Sequence, residues 1–98
     1  MNLTGKQKRV LRSLAQTKKS AFQIGKEGLT AQIKTNLLDY LTKYELGKIT
    51  VLNNCTTPII ALEQSLQEAD IQVIQKIGKV MVLYKENLAL INRIELPL

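Results

Sequence analysis

The chain contains no histidine and no tryptophan, and its 98 residues include one cysteine, two prolines and four aromatic side chains. Each shortage excludes something. Without histidine there is no Ser-His or Cys-His nucleophile pair and no histidine-based metal site, so no enzyme is expected. Cys55 alone cannot close an internal disulfide, which suits a reduced, cytoplasmic setting. It sits between Asn54 and Thr56 with no base beside it and reads as a structural thiol. No apolar run approaches the ~18 residues that span a bilayer, and "MNLTGKQKRV" lacks the apolar core of a signal peptide. The acids are scattered, and Glu63 and Glu68 fall on an amphipathic stretch whose solvated face accounts for them. No cofactor, metal, membrane or small-molecule substrate is expected.

The most informative absence is local. Residues 1–26 contain no Asp or Glu but seven basic residues: Lys6, Lys8, Arg9, Arg12, Lys18, Lys19 and Lys26. The rest of the chain is near neutral, with seven basic residues against eight acidic ones. Charge concentrated at one end points to a polyanion, either nucleic acid or an anionic membrane surface. A solvated face that only keeps the chain soluble is the plain alternative.

What is present then orders itself. In "LTGKQKRVLRSLAQ", Thr4 and Gln7 have capping-box spacing. Val10, Leu11, Leu14 and Ala15 share an arc with Gln7, and Lys6, Lys8, Arg9 and Arg12 lie opposite. A membrane-surface helix has similar cations, but this one has no Trp or Phe anchor and only a narrow apolar stripe. "SAFQI" reads as a short strand ended by Gly25. A second helix follows over 29–47, capped by Thr30, with Ile33, Leu37, Tyr40, Leu41 and Tyr44 on its buried face and Gly47 as its stop. "KITVL" alternates like a half-exposed strand, with Ile49 and Val51 on one side and Lys48 and Thr50 on the other. "NNCTTP" is a turn, after which Thr57 caps a third helix with Pro58 at its first position. "IQVIQKI" and "VMVLY" are strands joined by a tight "GK" turn, and the continuously apolar "VMVLY" belongs in the middle of the sheet.

Strand–helix–strand order favours parallel pairing, while the final hairpin must be antiparallel. The carboxyl ends of three parallel strands then meet on one sheet edge, where ligands of open α/β sheets bind. They lead into "GKEG", "NNCTTP" and "GKV", bringing Lys26 and Lys79 together. In "FQIGKEGLT", two glycines allow a sharp turn and a close approach, and a helix N-terminus that favours anions follows. G-x-x-G loops clamp nucleic-acid backbone in KH domains, although strand-to-helix turns often need glycine for their own sake.

Four stretches in this order, "LTGKQKRVLRSLA", "FQIGKEGLT", "ELGKITVLNN" and "IGKVMVLYK", resemble the YhbY-like proteins, and "IELP" resumes the likeness. These are the bacterial stand-alone form of the CRM domain (chloroplast RNA splicing and ribosome maturation). The resemblance implies one RNA-binding domain over residues 1–98, with 86–98 a tail. It implies a two-layer α/β sandwich like the C-terminal domain of translation initiation factor three, with sheet order 1-2-4-3 and the last strand antiparallel. It also implies association with precursors of the large ribosomal subunit and hence with its rRNA. Its RNA-binding loop falls on Gly25, Lys26, Glu27 and Gly28. The sequence departs from the family after Pro58, where the third helix carries little charge, and in the apolar "NLALINR".

With Phe22 and Tyr84 reading as core, no pair of aromatics is left to stack bases as an RRM does. Binding is therefore expected to rest on phosphates, shape and the 2′-OH of structured RNA. Two other classes fit the same charge: a protein-interaction adaptor in translation or ribosome assembly, and a DNA-binding architectural protein.

Overall fold

In the computed structural model, which describes residues 3–91 and 93–97, the first helix α1 runs Gly5–Ala15. The capping box forms as its spacing predicts. Thr4 Oγ1 accepts from Gln7 N–H at 3.1 Å, and Gln7 Oε1 accepts from Thr4 N–H at 3.0 Å. Leu11 and Ala15 are buried and Val10 is half-buried, but Leu14 is 44% exposed, so the buried stripe is narrower than the expected arc.

Strand β1 spans Phe22–Ile24, α2 Ala31–Tyr44, β2 Leu46–Val51, α3 Ile59–Glu68, β3 Gln72–Ile77 and β4 Val80–Tyr84. The sheet order is β1-β2-β4-β3. β1 pairs parallel to β2, and β4 runs antiparallel to both β2 and β3, so β1, β2 and β3 point the same way. β4 lies in the interior of the sheet, as its unbroken apolar run requires.

Alternation along β4 divides the core. Met81 and Leu83 face the layer made by α2 and α3, where they meet Leu37, Leu41, Leu62 and Leu66. Val82 and Tyr84 face the other way, against Leu11 and Ala15 of α1, with Leu3, Ile94 and Leu96 packed alongside. The sheet and the α2/α3 pair are the two expected layers; α1 and the C-terminal segment cover part of the second face. A bulge between Val73 and Gln75 turns Ile74 into that second core.

Three expected details are corrected. Gly47 does not stop α2. The helix ends at Tyr44, Glu45 takes the left-handed conformation (φ 62°), and Gly47 lies in β2. Glycine leaves room there for the Tyr40 ring: a Cβ would stand a tight 3.0 Å from its Cε1. Tyr44 does not join the buried stripe: it is 53% exposed, stacked at a tilt on Tyr40, which itself meets the edge of Phe22. Thr57 does not cap α3; Pro58 occupies the cap position and no side chain caps the helix.

Tyr84 is fully buried, and its hydroxyl has no well-formed hydrogen bond among the described residues, although the Arg93 guanidinium stands beside it. Burial, reinforced by the charges of Glu45 and Glu86, pushes its pKa above 10.0. The neutral form is thus favoured in the folded state. Stability is complete below about pH 10, the unfolded value, and falls as pH rises through the folded value. Tyr84→Phe leaves no orphaned hydroxyl and should be neutral or slightly stabilising at pH 7. Urea melts of both proteins from pH 8 to 11 check this: the gap should widen in favour of Phe above pH 10, and parallel curves would refute it.

Candidate nucleic-acid interface

Two backbone bonds bring the three loops together. Leu52 N–H donates to Ile24 C=O at 2.8 Å, joining the ends of β1 and β2. Val51 N–H donates to Lys79 C=O at 2.7 Å, joining β2 to the β3–β4 hairpin. The "GKEG" loop, the β2–α3 loop and Lys79 therefore share one sheet edge, as the parallel order predicts.

Within the first loop, Gly28 N–H donates to Gly25 C=O at 3.0 Å, closing a β-turn with Lys26 and Glu27 at its exposed tip. Both tip residues have negative φ, the type I pattern, which favours Gly at the fourth place. Gly28 has φ 70° and is buried. A Cβ there would stand 2.5 Å from Thr57 Oγ1. So the second glycine serves a close approach by the neighbouring loop, and Thr57, displaced from its expected capping role, supplies that contact. A Cβ on Gly25 would meet Asn54 Oδ1 at 3.4 Å, an ordinary contact. Cys55 is half-buried here, with its thiol directed to Thr57 C=O at 3.7 Å, in keeping with a structural role.

Behind the turn, Thr30 Oγ1 accepts from Ile33 N–H at 3.1 Å and starts α2. That bond uses one of the helix's free donors; the N–H groups of Ala31 and Gln32 have no partner among the described residues. Partial positive charge and open donors therefore face the same edge as Lys26 and Lys79. Neither lysine has an ion-pair partner among the described residues, and Glu27 makes no bridge to Lys26.

The remaining sequence-derived cations are not gathered at this edge. Lys6, Lys8 and Arg9 ride on α1, across the second face of the sheet. Lys18 places its ammonium 5.8 Å from the centre of the Tyr44 ring, at the far end of α2. At 1.5 Å per residue that is roughly 20 Å from the loop. Lys19 is exposed on the connection to β1. Arg12 leaves the outward arc and lines a groove with Lys48, which lies on the side of β2 opposite Ile49 and Val51. All seven basic residues before Glu27 lack a carboxylate partner among the described residues, so their charge is not neutralised locally.

The model of the CRS1/YhbY (CRM) domain matches residues 3–85. The chain belongs to this family. A relative, the probable RNA-binding protein YqeI of Bacillus subtilis, is 40% identical over 96 residues, spanning 97% of this chain and 99% of the relative. The solution structure of a hypothetical Staphylococcus aureus protein, a candidate RNA-binding protein, superposes with a TM-score of 0.78 at 42% identity, covering 98% of this chain and all of that one. The expected CRM sheet order and the antiparallel last strand are both present.

Proposed function

We propose that this CRM-domain protein binds structured RNA and serves in assembly of the large ribosomal subunit. The observation that carries the reading is the sheet edge, where the "GKEG" turn, the open N–H groups of α2 and the unpaired Lys26 and Lys79 converge. The RNA-binding descriptions of its relatives support it. In this reading the loop seats a backbone phosphate or ribose, and Lys6, Lys8, Arg9, Arg12, Lys18 and Lys19 supply long-range attraction. Such binding releases counterions, so log K should fall linearly with log salt.

Gly25→Asp combined with Lys26→Ala sets a carboxylate where a phosphate would sit and removes the tip cation. Loss of one charge-assisted contact, ~1.5–3 kcal/mol, corresponds to about 10- to 100-fold in affinity. The salt slope should also flatten by about one unit. Lys26 is exposed and a Cβ on Gly25 meets only ordinary contacts, so the melting temperature should hold. Unchanged affinity in a folded double variant would sink the loop assignment. In-cell crosslinking with sequencing of the bound RNA tests the biological half: reads should concentrate on large-subunit rRNA, and a flat profile would refute it. Duplex DNA competing equally with structured RNA at one salt concentration would favour an architectural DNA binder instead.

A further inference from the structure

The cover on the second face of the sheet stops short of the functional edge. α1 ends at Ala15, and beyond it a groove of about 180 Å³ opens between the helix end and β2, β4 and β3. Its floor is apolar, made by Ala15, Ile77, Val80 and Val82. Its rim is polar, made by Arg12, Gln16, Lys48 and Gln75. Val80 follows Lys79, whose carbonyl is bonded to Val51, so the groove opens at the same end of the sheet as the "GKEG" loop, on the face away from α2 and α3. Ile77 is 61% exposed, a large apolar side chain left open beside two cations.

We infer that this groove receives one unpaired base of the bound RNA, an inference that rests on the proposed RNA-binding function. The volume is below the ~300–1,000 Å³ of sites for larger ligands and suits a single planar ring. Two cations and no carboxylate line it, and neither Arg12 nor Lys48 has an ion-pair partner among the described residues. That lining complements a nucleotide: aliphatic side chains for the ring face, the amides of Gln16 and Gln75 as donors and acceptors for its edge, and the Arg12 guanidinium for stacking or for the flanking phosphate. A duplex held by its backbone at the loop would thus be distinguished from one carrying an extruded nucleotide.

The test uses the full chain and two RNA hairpins of equal stem length, one fully paired and one with a single bulged 2-aminopurine. The protein should bind the bulged hairpin about fivefold tighter, less than an aromatic platform provides, and 2-aminopurine emission should change on binding. Gln75→Ala and Ile77→Ala, both on the surface of β3, should bring the bulged-to-paired ratio toward one. Gly25→Asp with Lys26→Ala should weaken both hairpins and keep the ratio. Equal wild-type affinities with unchanged emission would overturn the groove while leaving the RNA-binding reading in place. Absence of binding to either hairpin would overturn both.

Discussion

Gly28→Ala is expected to destabilise the protein by about 2–3 kcal/mol, lowering the melting temperature by roughly 8–24 °C for a domain of this size. Two separable causes add. The left-handed backbone at φ 70° costs an alanine ~1–2 kcal/mol that glycine does not incur. The new Cβ would also lie 2.5 Å from Thr57 Oγ1, so the Thr57 side chain must rotate away or one of the two loops must shift. Thr57→Ala removes that oxygen and leaves the residue's own Cβ at 3.6 Å, an ordinary contact. In that background Gly28→Ala should cost only the backbone part, about 1–2 kcal/mol. Thr57→Ala alone should cost little, since α3 is capped at Pro58 and has no side-chain cap bond to lose; a true cap would cost ~1 kcal/mol. A denaturation cycle over the four proteins measures the coupling, and equal costs in both backgrounds would refute the contact.

The same pair of residues shows what could be read from the sequence and what could not. Local signals were sufficient where the partner lies within four residues: Thr4 with Gln7, Thr30 with Ile33, the turn from Gly25 to Gly28. The unbroken apolar run of β4 places it inside the sheet, and period-two alternation sets Lys48 opposite Ile49. From parallel order followed the convergence of "GKEG" with Lys79. Failures came where an outcome depends on a residue distant in the chain. Gly28 looked like a glycine kept bare for a ligand; its nearest demand is Thr57, on another loop. Gly47 looked like a helix stop, yet it makes room for the Tyr40 ring. Leu14 and Tyr44 fit the apolar arcs of their helices, yet they are 44% and 53% exposed, because what covers a helix face is set by elements distant in the chain. The groove at Arg12 belongs to the same class, because it exists only where α1 ends relative to the sheet.

Glu45 is the furthest case, and its removal should have the larger effect. A glutamate is no helix stop by type, yet Glu45 ends α2 in a left-handed conformation and is fully buried. Its carboxylate accepts from Asn87 N–H at 2.9 Å through Oε2 and from Ile94 N–H at 2.8 Å through Oε1. Arg93 Nε stands 3.8 Å away, and Lys85 N–H donates to the Glu45 carbonyl at 2.8 Å. One side chain thus fastens the returning C-terminal segment, whose Ile94 and Leu96 pack on the second core. Glu45→Ala strands two N–H donors, at ~1–3 kcal/mol each, for a total of about 2–6 kcal/mol; Arg93 keeps its 3.1 Å pair with Glu86. Glu45→Gln keeps an acceptor, loses the charge and should cost less. Because the carboxylate bonds the segment after β4, the first consequence should be local: amides near Asn87 and Ile94 should lose hydrogen-exchange protection in the Ala variant while those of β4 keep theirs. The chain at Asn87 and Ile94, beyond the residues 3–85 that the CRM model matches, would then be held by a buried anion rather than left as a free tail. Retained protection at both amides in the Ala variant would show that apolar packing on Tyr84 and Leu11 holds the segment unaided.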